Sequence, residues 1–161
     1  MIVMAPEDLR DQAGMERAFR RYFADVREQC PGTLNAMLEP RLVAWDFREK
    51  TVTLAVDTRP WMANPGGIVH GGVTAACLDL VMGLLCRYFS GGRMTRTVHQ
   101  DVDYLRAAKI GKTLCIRAES IKLGSSLCFT RGTVWAEGDP ERPLASAVGC
   151  YAVDPAGGAS T

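Results

Sequence analysis

One stretch of this sequence contains residue types that can act together in a reaction. A glycine-rich loop runs into an apolar, helix-like stretch whose first charged residue is Asp79. Backbone N–H groups at the start of a helix lack helical partners and carry the positive end of the helix dipole. Glycines let a substrate carbonyl approach that backbone closely. These features together resemble parts of a catalytic site more than a packing arrangement. The loop contributes Asn64, His70, Gly71 and Gly72.

Each of these residues also has a purely structural interpretation. Asp79 could be a buried carboxylate that caps a neighbouring loop, although its own helix offers no cation within reach. His70 could only brace the turn. Asn64 precedes Pro65 and could be an ordinary turn residue.

Length and composition fit one globular domain. The chain has 161 residues, of which 47% are hydrophobic and 23% charged, so it can bury a substantial core. A net charge of +1 gives no indication of nucleic-acid or membrane binding. No uninterrupted apolar run reaches the roughly 18 residues of a membrane span, and the start MIVMAPED soon becomes acidic, unlike a secretory signal. We therefore expect a cytoplasmic protein.

The six cysteines are scattered, without a CxxC pair or the spacing of a zinc site. Most lie in apolar runs, so we interpret them as reduced core residues. Their positions are Cys30, Cys77, Cys86, Cys115, Cys128 and Cys150.

Residue patterning divides the chain into a helical segment at 1–32, a main domain at 33–153 and a Gly/Ala/Ser-rich tail at 154–161 that we expect to be flexible. The first segment contains an amphipathic helix from Asp8 to about Gln29, which we expect to cover a sheet. Alternation over Pro40–Phe47 and Thr51–Asp57 predicts a hairpin.

A second helix is predicted from about Gly71 to Phe89, and its nearly all-apolar composition requires burial. The short turns between four following strand-like runs predict an antiparallel meander. We expect an α+β fold in which a curled antiparallel sheet wraps around this central helix, and its free edges favour pairing with a second copy. The four runs are Met94–Leu105, Thr113–Leu123, Leu127–Ala136 and Leu144–Val153.

This order of elements, with the motif Asn64-x5-His70-Gly71-Gly72-x6-Asp79, resembles the hotdog-fold acyl-CoA thioesterases of the phenylacetate-catabolism type and their mammalian mitochondrial relatives. The resemblance covers roughly residues 40–153. Four residue types at fixed spacing make the motif much more specific than an isolated HGG. The resemblance implies the hotdog fold and hydrolysis of an acyl-CoA thioester, without a metal or redox cofactor. It also implies a dimer, or a tetramer built from dimers, with the active site at the dimer interface.

The resemblance also implies roles for individual residues. Asp79 matches the general base or nucleophile, and Gly71 matches the glycine whose N–H binds the carbonyl oxygen. His70 matches the histidine beside it, and Asn64 the residue that positions water or the thioester. The family has a Ser or Thr on the next strand, for which the register implies Thr97. An alternative is that Thr97 belongs to a polar sheet face, because it shares strand parity with three polar residues, His99, Asp101 and Asp103.

Binding coenzyme A requires cations for its phosphates and a groove for its pantetheine arm. Basic residues near strand ends are candidates for the phosphates, and the turn Gly124-Ser125-Ser126 is a candidate border of the groove. Gly72 leaves room near Asp79. The basic candidates are Arg106, Lys109, Lys122 and Arg131, and the acyl-pocket candidates are Met62, Ile68, Met82, Leu85 and Cys86.

Two other functions fit parts of the pattern. A hotdog enoyl-thioester hydratase or dehydratase would pair a catalytic histidine with an acid, here His70 with Asp79. A hotdog domain that binds acyl-CoA without turnover is the second alternative, and the presence of Asp79 argues against it. Aryl and medium-chain acyl groups both fit the thioesterase hypothesis.

Overall fold

The computed structural model describes residues 2–155, so most of the predicted tail lies outside the described residues. Short 3-10 turns occur at Pro6–Asp8 and Pro60–Met62. The α-helices are α1 (Gln12–Gln29), α2 (Leu34–Met37) and α3 (Gly71–Phe89), and the strands are β1 (Arg41–Asp46), β2 (Thr51–Asp57), β3 (Thr95–Tyr104), β4 (Thr113–Leu123), β5 (Leu127–Ala136) and β6 (Ala145–Val153).

The six strands form one antiparallel sheet in the order β1-β2-β4-β5-β6-β3. Helix α3 contacts β2, β3, β4, β5 and β6, so the sheet curls around it. Eleven of its residues are buried, which explains why nearly all of its positions are small or apolar. The predicted hotdog architecture, with one central helix and an extra N-terminal helix, is confirmed.

The predicted meander is correct only for β4, β5 and β6. Strand β3 does not pair with β4, which follows it in sequence, but with β6. The segment Ala108-Lys109-Ile110-Gly111 is therefore not a hairpin turn. It belongs to a crossover that passes β6 and β5 and leads from the edge strand β3 to the inner strand β4. This leaves β1 and β3 as the two edge strands, and β3 packs against α3.

Helix α3 is also long and apolar enough, by length and composition, to cross a membrane. Its 18-residue window has a mean hydropathy of 1.4, although Asp79 and Arg87 interrupt the apolar residues of the helix. Burial beneath the sheet accounts for this composition, since a helix wrapped by protein needs no polar face. Ser90 and the positive φ angles of Gly91 and Gly92 end the helix where the sequence predicted.

The N-terminal helix begins later than predicted, at Gln12 rather than Asp8. The Asp11 carboxylate accepts a hydrogen bond from the Gly14 N–H at 2.7 Å and caps the helix. Buried Asp8 instead belongs to the preceding 3-10 turn and forms ion pairs with Arg17 and Arg21. Helix α1 packs on β1 and on the end of α3, so it covers the open side of the curled sheet.

All six cysteines lie within the described residues and are free thiols. Four are buried, and burial raises the pKa of the Cys77 thiol to about 12. Cys30 and Cys150 are only half-buried. The interpretation as core residues is confirmed for the four buried ones.

Candidate active site

Asp79 lies at the middle of α3, half-buried, on the side that faces β3. The Thr97 hydroxyl donates a hydrogen bond to Asp79 Oδ1 at 2.7 Å. The Tyr151 hydroxyl donates to the same oxygen at 3.2 Å. Among residues 2–155, no hydrogen bond or ion pair engages Asp79 Oδ2. The carboxylate is therefore held by one oxygen while the other remains available.

Sequence reasoning missed Tyr151. Its ring is buried, and burial together with the nearby Asp79 carboxylate raises the pKa of its hydroxyl above the ordinary tyrosine value, which keeps it a donor. Gly83 and Gly149 leave room for the ring, because a Cβ at either position would lie within 3.2 Å of it. Strand register places Tyr151 opposite Thr97. The sequence could not show this pair without the β3–β6 pairing.

A β-bulge explains the position of Thr97. The register of β3 against β6 shifts between Thr97 and His99. Thr97 therefore lies on the helix side of the sheet together with Gln100, whose amide donates to the Ala75 carbonyl at 3.0 Å. The parity argument that grouped Thr97 with His99 and two aspartates was wrong, because the extra residue reverses the alternation. Asp101 and Asp103 line the outer face.

His70 is the N-cap of α3, and its Nδ1 accepts the Gly72 N–H at 2.9 Å. This hydrogen bond satisfies one amide that the helix start leaves free. It matches the alternative in which His70 braces the turn. The ring is exposed, so its other nitrogen can still reach solvent or a ligand.

The Gly71 amide is the donor that remains. Within the described residues, no acceptor bonds the Gly71 N–H, whereas the amides of Val73 and Thr74 bond the His70 carbonyl. The Gly71 carbonyl accepts the Tyr104 hydroxyl at 2.8 Å, and a Cβ at position 71 would lie 3.3 Å from that ring. A free N–H at a helix start suits binding of a developing oxyanion.

Asn64 shapes the loop that leads to this amide. Its Oδ1 accepts the Gly66 N–H at 2.9 Å, and its backbone N–H bonds the Ile68 carbonyl at 2.8 Å. These bonds make it an Asx-type turn residue, as the structural alternative proposed. Asn64 also lines a surface pocket together with Gly71 and Tyr104.

The two halves of the candidate site do not meet within one chain. Gly71 and Asp79 are eight residues apart on one helix, which separates them by about 12 Å along the axis. A catalytic carboxylate and an oxyanion donor must each lie within hydrogen-bond reach of one carbonyl group. A single chain therefore presents an activating half and an oxyanion half separately.

A groove lined by both polar and apolar side chains opens beside Asp79, between α3, the start of β3 and helices α1 and α2. We call it the α3 groove; the residues that line it are Tyr22, Leu34, Asn35, Ala76, Asp79, Leu80, Gly83, Leu84, Arg87, Met94, Thr95, Thr97 and Tyr151. Met82 is not among them. It is fully buried against the sheet, where glycines at 132 and 149 leave room for its side chain. Met62, Leu85 and Cys86 are likewise buried, and Ile68 lines the loop pocket instead.

The candidate coenzyme A residues lie in separate places. Arg106 donates to the Pro143 carbonyl at 2.7 Å beside the Gly71 loop, and Lys109 lies nearby. Lys122 and the turn 124–126 lie at the other end of β4, about 30 Å away along the strand. That end adjoins the start of β3, since the Val153 N–H bonds the Ser126 carbonyl. Arg131 is on the outer face of the sheet.

Residues 66–142, which include Gly71, Asp79 and Thr97, match the sequence profile described as the Thioesterase superfamily. Human acyl-coenzyme A thioesterase 13 is 36% identical over 69 residues, which are 42% of this chain and 48% of that protein. The chain thus spans about half the length of the curated relatives it matches.

Solved structures share the fold over most of the chain. Zebrafish thioesterase superfamily member 2 superposes with a TM-score of 0.74 and 21% identity, covering 86% of this chain and 97% of that one. A phenylacetic acid degradation-related protein from Ralstonia eutropha gives a TM-score of 0.70 at 25% identity, over 82% of this chain and 99% of that one.

Proposed function

We propose that this chain, whose residues 66–142 match the profile of the Thioesterase superfamily, is a cytoplasmic acyl-CoA thioesterase that needs no metal or redox cofactor. Its substrate is an aryl- or medium-chain acyl-CoA. The observation that carries the proposal is the Asp79 carboxylate, which is held through one oxygen beside a groove, in a chain that also presents a free amide at the start of the same helix. The family match agrees with the resemblance drawn from the motif.

The proposed reaction uses Asp79 as the general base. Its free Oδ2 accepts a proton from water as the water oxygen attacks the thioester carbonyl carbon. The carbonyl oxygen becomes negative and is bound by the Gly71 N–H. The C–S bond then breaks, and the thiolate of coenzyme A leaves and takes up a proton, which yields the free acid. Direct attack by Asp79 through an anhydride would use the same oxygen.

A second copy completes the site in this proposal. Strand β3 is a free edge, and it carries Thr97 next to Asp79 at one end and Tyr104 next to Gly71 at the other. If two β3 strands pair antiparallel about a twofold axis, the start of each strand lies against the end of the other. The Asp79 half of one copy then faces the Gly71 half of its partner.

The same pairing brings the coenzyme A candidates together. Arg106 and Lys109 flank the Gly71 half, whereas Lys122 and the turn 124–126 flank the Asp79 half. Across the dimer, these residues would border one groove, with cations available for the phosphates of coenzyme A. We propose that the pantetheine arm passes along this groove to the carbonyl beside Asp79.

The test is release of free coenzyme A thiol from acetyl-, hexanoyl-, decanoyl-, benzoyl- and phenylacetyl-CoA, by wild type and Asp79→Asn. The asparagine keeps the size of the side chain and can still accept the Thr97 hydroxyl, but it cannot act as a base. We expect kcat to fall about 10²–10⁴-fold with fold and oligomeric state unchanged. Normal turnover by the variant would contradict the mechanism. No thiol release from any substrate would favour the hydratase or the acyl-CoA-binding alternative.

A further inference from the structure

The α3 groove extends from Asp79 to a second polar group. Helix α3 lines it with residues at helical spacing, so that Asp79, Gly83 and Arg87 follow one another along one side of the helix. Arg87 lies eight residues beyond Asp79, or about 12 Å along the axis. An acyl group whose carbonyl lies beside Asp79 would therefore point its far end towards Arg87.

Arg87 is a buried cation without an acidic partner. Arg87 is only 7% exposed, and burial lowers the pKa of its guanidinium. The guanidinium donates to the carbonyls of Ile2 and Gly92 and lies over the Tyr22 ring. Within residues 2–155, no carboxylate forms an ion pair with it. Burial of a charge without a counter-charge is costly, so this arrangement calls for an anion.

The groove can supply access for that anion. Arg87 Nη1 makes no hydrogen bond within the described residues, and it is not among the atoms there that are both buried and unpartnered. Asn35 lines the groove as well, and no described residue hydrogen-bonds its side chain. Nη1 and the Asn35 amide are therefore two donors on groove-lining residues that have no hydrogen-bond partner among the described residues.

We propose that the α3 groove selects acyl groups that carry a carboxylate at the end distal to the thioester, and that Arg87 and Asn35 bind that carboxylate. The substrate class is then the coenzyme A monothioesters of medium-chain dicarboxylic acids. This assignment rests on the proposed function for the position of the thioester. It gives helices α1 and α2, which supply Tyr22 and Asn35, a part in specificity.

The test compares acyl-CoA pairs that differ only in the terminal group: hexanoyl- with adipoyl-CoA, octanoyl- with suberoyl-CoA, and decanoyl- with sebacoyl-CoA. Affinity is measured by calorimetry on the Asp79→Asn protein, so the result does not depend on turnover. kcat/KM is measured on wild type. We expect the carboxylate member of at least one pair to be favoured about tenfold or more in both measurements, as for a charge-assisted hydrogen bond.

Two variants assign the preference to the groove. Arg87→Met should remove this preference. The affinity for the carboxylate-terminated substrate should fall about tenfold, whereas the affinity for the methyl-terminated substrate should change little. Because Arg87 also bonds two carbonyls, its variant can lose stability; Asn35→Asp avoids this, since Asn35 has no described side-chain hydrogen bond. The new carboxylate should repel the substrate carboxylate and lower the preference, whereas Asn35→Gln should retain part of it.

The outcomes separate the two proposals. Hydrolysis of methyl-terminated substrates without any carboxylate preference would overturn this assignment and leave the thioesterase proposal intact. Carboxylate preference that survives both Arg87→Met and Asn35→Asp would also overturn it. Tighter binding of the carboxylate member to the Asp79→Asn protein, lost in either groove variant, would support the assignment even if no substrate in the panel were hydrolysed.

Discussion

At the residue scale, a single substitution can remove the Gly71 N–H while changing little else in the structure. Gly71 is the first residue of α3, where proline is tolerated, and His70 before it has the extended backbone that proline requires. Gly71→Pro should therefore keep the fold and reduce kcat by about 10²–10³-fold, as for loss of one oxyanion donor. The measurement is thiol release combined with thermal unfolding.

The matched control is Gly71→Ala. It places the same Cβ 3.3 Å from the Tyr104 ring but keeps the N–H. Activity in the alanine variant close to wild type would assign the loss to the donor. If both variants lost activity equally, crowding against Tyr104 would be the cause, and Gly71 would have no role as a donor.

The sequence predicted the residues whose local context is informative. Gly71 and Asp79 are conspicuous because a glycine-rich loop rarely leads directly into an apolar helix that carries one carboxylate. The structure places both residues on α3. Tyr151 could not be predicted, because its contact with Asp79 depends on pairing between strands 40 or more residues apart. The bulge after Thr97 was also invisible, since one unpaired residue leaves no compositional signal.

At the element scale, β3 is predicted to form the dimer interface. Val98 is 60% exposed, at the bulge of this edge strand. Val98→Asp should place like charges close together across the twofold axis, dissociate the dimer and abolish turnover. The measurement is molar mass by light scattering, together with thiol release.

The other edge strand provides the control. Val43 is 50% exposed and also lies at a bulge, in β1. Val43→Asp should leave mass and activity unchanged. A dimer that survives Val98→Asp but dissociates on Val43→Asp would place the interface on β1 and refute the shared site.

The elements themselves were largely predictable, whereas their arrangement was not. Periodicity identified α3, and each of the six strands falls on a run that the sequence marked as strand-like. The order of strands in the sheet depends on which side chains the whole sheet buries on each face. The pairing of β3 with β6 could therefore not be derived from the lengths of the turns. Helix α1 begins later than predicted because the Asp11 cap, rather than hydrophobic periodicity, determines its first residue.

At the scale of the whole molecule, two buried tyrosines predict loss of stability in alkali. Burial raises the pKa of Tyr88 to about 12, and burial with the charge of Asp79 raises that of Tyr151. Unfolded tyrosines lose their protons near pH 10, so above that pH the unfolded state binds fewer protons than the folded one. The stabilisation is therefore complete below about pH 10 and is lost as the pH rises further.

Phenolate absorbance and circular dichroism, followed together during an alkaline titration, test this prediction. The phenolates of Tyr88 and Tyr151 should appear only as the protein unfolds, and Tyr151→Phe should reduce that late step by one tyrosine. Complete ionisation of all four tyrosines near pH 10 in a folded protein would contradict the burial of these side chains.

In the proposed dimer, one catalytic site takes Asp79 from one copy and the Gly71 amide from another. Heterodimers of Asp79→Asn with Gly71→Pro, co-expressed with two different tags and purified through both, test it most directly. Each variant alone should be nearly inactive. The heterodimer contains one site with both groups intact, so it should recover up to about half of the wild-type rate. Heterodimers as inactive as the parent variants would show that each site uses groups of one chain. That result would contradict a catalytic site shared between two copies.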